Sequence, residues 1–160
     1  MWCFNSPLYD ENLNIYRWLN LYLCIMVDIH DKATRSYNMS QIKGKNTKPE
    51  IKVRKFLFSH GFRFRIHDKK LPGKPDIVLP KYRTIIFVQG CFWHGHEHCK
   101  YFKLPSTRHE WWKAKIEKNI SNDKKTQETL KQLGYKIIVV WECQIKNDSF
   151  KESLIEDVRK

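Results

Sequence analysis

Acidic side chains are scarce in this chain. It has 17 Asp and Glu against 30 Lys and Arg, which leaves a formal net charge of +13 and a pI near 9.6 over 160 residues. A charge of that size repels itself and does little for folding, so it points to a polyanionic partner such as DNA, RNA or an acidic membrane. Long apolar runs are missing as well. The longest candidate, Ile15 to Val27, is interrupted by Arg17 and Asn20 and is too short to cross a bilayer. It also lacks the basic start and small-residue cleavage site of a signal peptide. Residues 1–25 therefore read as a dispensable extension, with Met26 as an alternative first residue; a short membrane-surface or partner-binding helix is the other reading. The five cysteines are an odd number and cannot all pair, which argues against a secreted disulfide framework and for thiols kept reduced inside a cell. Internal repeats and low-complexity segments are absent.

What the chain does have is aromatic and basic. Six Trp and nine Phe accompany the 30 basic residues, a combination suited to stacking on bases and pairing with phosphates. A basic protein without a specific partner is the plainer alternative. Val27 to Lys48 is polar, carries Lys32, Arg35, Lys43, Lys45 and Lys48, and reads as an arm or short helix for DNA. Three parts follow: the extension 1–25, a basic arm 26–48 and a main folded domain 49–160.

Within that domain, Thr47-Lys48-Pro49-Glu50 predicts a capping box and a helix to about His60, stopped by Gly61. Phe62 to Ile66, Asp76 to Leu79 and Thr84 to Val88 read as strands, the last central because it is continuously apolar. A helix from Glu110 to Asn119 and another from Asp123 to Leu133 precede a buried strand, Tyr135 to Trp141. Phe150, Leu154, Ile155 and Val158 mark a final amphipathic helix. This order predicts an α/β domain with a mixed sheet flanked by helices.

Two clusters carry chemistry. Cys91, His96, Cys99 and the distant Cys143 are a Cys₃His set at zinc spacing, and four protein ligands fill a tetrahedron as structural zinc sites do. His94 or His98 could replace His96, and His96 is preferred because Cys91-x₄-His96-x₂-Cys99 leaves room for turns. Asp76 follows a proline at the start of a strand, where a carboxylate can hold Mg²⁺; a turn aspartate is the simpler explanation. His94, if it is not a ligand, can take a proton from an attacking water. Glu50 is the other acid placed near Asp76, with a purely capping role as its alternative. Phe92 and Trp93, fixed by the metal loop, are candidates for base contact.

The motifs Pro-Gly-Lys-Pro-Asp at 72–76, Gly-Cys-Phe-Trp-His-Gly-His at 90–96, Leu-Pro-Ser-Thr-Arg at 104–108 and Val-Trp-Glu-Cys at 140–143 resemble the very short patch repair endonucleases. The arm from Asp31 to Met39 matches too, so the likeness covers about residues 26–160. The resemblance implies a restriction-endonuclease-like fold, a variant of the PD-(D/E)xK type. It also implies a Mg²⁺-dependent nick 5′ to the thymine of a T:G mismatch left by deamination of 5-methylcytosine. Carried over, Asp76 and the carbonyl of Val88 hold Mg²⁺, His94 is the general base and Glu50 supports it. Cys91, His96, Cys99 and Cys143 hold structural zinc. Phe92, Trp93 and Trp112 form a wedge on the major-groove side, and Met39 enters from the minor groove. A monomer acting in the bacterial cytoplasm at the nucleoid is implied. So are a mismatch-repair sensor, a repair polymerase and a cytosine methyltransferase as associates, and no membrane.

Two features depart from the pattern. Gln89 stands where some members carry a second active-site histidine, and the metal loop holds seven residues between Cys91 and Cys99, one more than in shorter versions. The acid and lysine that usually follow the first acid of a PD-(D/E)xK site are also absent after Asp76. A zinc-stabilised module that binds distorted DNA without cutting it, and a nuclease that cuts paired DNA, are the competing readings.

Overall fold

The computed structural model describes residues 31–41 and 43–160. The expected extension 1–25 and the start of the arm lie outside the described residues. Compactness divides the chain after Ser40, with residues 41–160 as the larger unit. The first unit shows one helix, α1 (Lys32–Ser40), in which the Asp31 carboxylate accepts from the Thr34 N–H at 2.6 Å as an N-terminal cap.

The second unit opens with α2 (Lys48–Ser59), and the sequence explains both its ends. Thr47 Oγ1 accepts from the Glu50 N–H, and Glu50 reaches back to the Thr47 N–H, while Pro49 occupies the first turn, where its missing N–H costs nothing. Gly61, at φ 81, takes the chain out of the helix. The sheet consists of β1 (Ile77–Leu79), β2 (Thr84–Gln89) and β3 (Lys136–Trp141), in the order β1-β2-β3. β1 is antiparallel to β2, with Ile77 opposite Ile86, and a 3₁₀ turn at Pro80–Tyr82 joins them. β3 is parallel to β2, with Gln89 opposite Trp141, so the connection between them must cross over. The crossover contains α3 (His109–Gln132), and β3 leads directly into α4 (Glu142–Lys146) and then α5 (Phe150–Arg159).

Strand alternation separates the two faces. Ile77, Leu79, Ile86 and Val140 turn to one side and pack with Val53 and Leu57 of α2, Ile145 of α4 and Phe150, Leu154 and Val158 of α5. Val78 and Ile85 turn to the other side and meet Leu130 of α3, with Leu71, Phe87 and Ile137 around them. A sheet covered by helices on both faces accounts for the uninterrupted apolar strands.

Three elements differ from the sequence expectation, one of them the unforeseen short helix α4. Phe62 to Ile66 is not a strand: it contributes one bridge, Arg65 to Val78, with both backbone hydrogen bonds at 2.8 Å. The two helices expected between 110 and 133 are one continuous helix of 24 residues. Ser121 and Asn122 lower helix propensity but do not block it, and without Gly or Pro there the helix runs on.

Candidate active site and metal clusters

Asp76 precedes β1, and its Oδ2 accepts from the Val88 N–H of β2 at 2.9 Å. The antiparallel pairing brings the two together, since the register that sets Ile77 opposite Ile86 carries Asp76 to Phe87, the neighbour of Val88. Burial holds the Asp76 carboxyl above its ordinary range; the Val88 hydrogen bond opposes that shift, and the negative charge of Glu50 adds to it. A carboxylate that is uncomfortable when ionised gains from a nearby cation.

Glu50, Asp76, Val88, Trp93, His94 and Asp123 all line one open cleft of about 730 Å³. His94 reaches it from the turn that follows β2. Its Nδ1 lies 2.6 Å from Asp123 Oδ2, so Nδ1 carries a hydrogen, and in the neutral ring Nε2 is the acceptor. Asp123 was not legible as a site residue. It reads as the first residue of a second helix, yet it sits inside α3 with its side chain directed at His94.

Glu50 is 4 % exposed and its carboxylate is fully engaged. Oε1 accepts from the Thr47 N–H and hydroxyl at 3.3 and 2.8 Å, and Oε2 accepts from the Asn46 N–H and Arg54 Nη2 at 3.1 and 2.6 Å. Its capping role and its nearness to Asp76 are therefore both present. His67, for which the sequence carries no signal, offers a third ligand atom beside Glu50 and Asp76.

The ligand atoms of Cys91, His96, Cys99 and Cys143 lie within 4.8 Å of one another. His96 Nδ1 is 3.5 Å from Cys143 Sγ, and its ring stacks on Trp141 at 4.0 Å with the planes 2° apart. His98 is exposed at φ 57, and His94 belongs to the cleft. Burial pushes the Cys91 thiol up to about 12, whereas the Tyr101 N–H draws Cys99 below the ordinary thiol value. Three thiols and an imidazole gathered in this way fit a tetrahedral thiophilic ion, whose charge would offset the cost of a buried thiolate. Cys143 comes from the first turn of α4, an element that the sequence reading did not include.

The loop between the two clusters is pinned to α3. Asn119 Nδ2 donates to the Trp93 carbonyl at 3.0 Å, and Gly95, at φ 60, faces Ile120 so closely that an added Cβ would stand 2.5 Å from its Cδ1. Phe92, Trp93 and Trp112 form a half-buried cluster with ring centroids 5.2 to 5.8 Å apart. Trp111, 49 % exposed, rests edge-on against Trp112, and the Arg108 guanidinium lies over its ring. Met39 lies on α1 and is 42 % exposed. Gln89 is buried at the end of β2, on the wall of the cleft.

An α/β scaffold that sets a carboxylate, an oriented imidazole and an aromatic loop around one cleft on a basic protein is a scaffold for processing nucleic acid. The profile of the family described as DNA mismatch endonuclease Vsr matches residues 27–100. The DNA mismatch endonuclease Vsr of Escherichia coli is 46% identical over 121 residues, covering 76% of this chain and 77% of that protein. The type II nicking enzyme V.NmeAIP of Neisseria meningitidis is 48% identical over 136 residues, covering 84% and 96%. The type II nicking enzyme V.XorIIP of Xanthomonas oryzae is 42% identical over 133 residues, covering 83% and 97%. The chain belongs to the Vsr family of DNA mismatch endonucleases.

Proposed function

We propose that this protein is a Mg²⁺-dependent endonuclease that nicks one DNA strand 5′ to the thymine of a T:G mismatch, as in very short patch repair. The observation that carries this reading is that Asp76, the His94–Asp123 pair and Trp93 open onto the same cleft. Asp76 and the backbone carbonyl of Val88 would hold Mg²⁺, which supplies a Lewis acid for the scissile phosphate and lowers the pKa of bound water. His94 Nε2 accepts the proton of the attacking water as its oxygen bonds to phosphorus and the bond to the leaving sugar oxygen breaks. Asp123 holds the imidazole in the required tautomer and stabilises its charged form. Glu50 orders the wall of the cleft beside Asp76.

Structural Zn²⁺ at Cys91, His96, Cys99 and Cys143 would keep the aromatic loop rigid. Phe92, Trp93 and Trp112 would enter the stack from the major groove and Met39 from the minor groove. A T:G pair stacks poorly, so unstacking there costs less than at a matched step. Among the described residues no helix is long and apolar enough to cross a membrane. The relatives are bacterial, which supports action on DNA in the bacterial cytoplasm; a monomer working beside a mismatch-repair sensor and a repair polymerase completes the proposal.

The test is strand-specific nicking of end-labelled duplexes containing T:G or T:A in Mg²⁺. A single nick beside the mismatched thymine is expected. Equal cutting of both duplexes would favour a nuclease for paired DNA, and tight binding without a cut would favour a distortion-binding module.

A further inference from the structure

The aromatic cluster that carries the proposed wedge does not end at Trp112. Trp111 meets that ring edge-on, with centroids 4.8 Å apart, and much of its own surface lies in water. Leaving so large an apolar ring in solvent forgoes the burial that would stabilise the fold. The Arg108 guanidinium lies over the same ring, 5.1 Å from its centroid.

Arg108 stands at φ 53 and ψ 39 just before α3, a left-handed conformation that a residue with a Cβ rarely adopts. Among the described residues no hydrogen bond or ion pair engages its guanidinium, and the nearby acid Glu110 is turned to His109 at 3.2 Å. The indole covers one face of the guanidinium plane, while the N–H donors lie in that plane and point past the ring. Donors paired in this way match two oxygens of a phosphate. The stack also restricts a long side chain before DNA arrives, so less freedom is lost on binding.

We infer that Arg108, held on Trp111, clamps one backbone phosphate of the DNA beside the wedge. Trp111 is then a positioning residue that acts through Arg108 and does not itself stack on a base. Steps of 4.8 and 5.1 Å separate the Trp112 ring from the guanidinium, and a DNA strand rises about 3.4 Å per nucleotide. The phosphate therefore lies within about three nucleotides of the mismatch. The inference rests on Trp112 as part of the wedge proposed above.

The test is fluorescence anisotropy of the full-length, zinc-loaded protein on T:G duplexes without Mg²⁺, each duplex carrying one uncharged methylphosphonate at a different position. Near the mismatch, one such replacement should weaken wild-type binding by roughly 10-fold and leave the binding of Arg108→Ala unchanged. Arg108→Ala should also flatten the slope of log K against log salt by about 1. Trp111→Ala removes no charge, yet it should flatten that slope and lose the same methylphosphonate penalty, and Trp111→Phe should restore both. If every wild-type penalty persists in Arg108→Ala, or the one it loses lies far from the mismatch, the inference is overturned, and neither result needs a Trp111 variant to fold. A folded Trp111→Ala that binds weakly with the wild-type slope would overturn it too, since a ring stacked on a base behaves in that way. An Arg108-dependent penalty in a protein that makes no nick once Mg²⁺ is added removes the nicking reading and leaves the clamp. A nick at the mismatch with no Arg108-dependent penalty removes the clamp alone.

Discussion

In the proposed role of general base the imidazole of His94 works only in one tautomer, and a single contact sets it. Asp123 Oδ2 at 2.6 Å keeps a hydrogen on Nδ1, which leaves Nε2 as the acceptor of the neutral ring. Asp123→Asn removes the charge that stabilises imidazolium, and nicking of T:G duplex should fall by roughly 10²-fold with DNA affinity nearly unchanged. A matching loss of affinity would mean that Asp123 shapes the loop and does not tune the histidine. Asp76 makes the opposite kind of prediction. Its raised pKa means that the folded protein binds its proton more tightly than the unfolded chain does. That contribution to stability is complete below the ordinary carboxylate value and is lost as pH rises through the raised one. Asp76→Asn should therefore raise the melting temperature of the Mg²⁺-free protein at pH 7 while abolishing nicking. An unchanged or lower melting temperature would show that burial does not strain this carboxylate.

Elements were legible where local signals were strong and uncontested. The capping box of α2 and its glycine stop are written in Thr47, Glu50 and Gly61, and the structure has them all. β2 and β3 follow from apolar runs that only a doubly covered sheet would bury. The misread elements depend on distant partners. Phe62 to Ile66 alternates like a strand, but just one of its residues bridges to β1. α3 passes through Ser121 and Asn122 because packing of Ile116 and Leu130 outweighs a small propensity cost. Reading two helices there is also what hid Asp123. The loop-to-helix contact at Gly95 can be tested directly. Gly95→Ala adds a Cβ at φ 60 and within 2.5 Å of Ile120, and should cost about 1–3 kcal/mol in a denaturant melt. No loss would mean that the loop is free to shift away from α3.

At the scale of the molecule, the zinc-type cluster ties the end of β2 to the start of α4. Cys91 and Cys143 lie 52 positions apart, so closing that link constrains most of the C-terminal half. Cys143→Ser should lower the melting temperature by roughly 10 °C and reduce zinc below about one per chain. An unchanged melt with full zinc would remove Cys143 from the ligand set. The net charge of +13 makes its own prediction, a steep salt dependence of DNA binding. Lys43 is exposed and lines the cleft, and Lys43→Ala should flatten the slope of log K against log salt by about 1. An unaltered slope would place the phosphates away from that wall.

The sequence alone determined the composition-driven properties and every feature written in adjacent residues. These include a basic partner-seeking surface, the caps of α2, the buried strands, and the ligand spacing of Cys91, His96 and Cys99. Those features depend on local sterics, hydrophobic period and side-chain chemistry, all of which act over a few residues. Only the tertiary structure decided that Asp123 meets His94 and that His67 meets Arg54. The reason is geometric: such contacts form between helices and loops whose relative placement is set by packing on the two faces of the sheet. No pattern along the chain records which side chains that packing will bring within hydrogen-bonding distance.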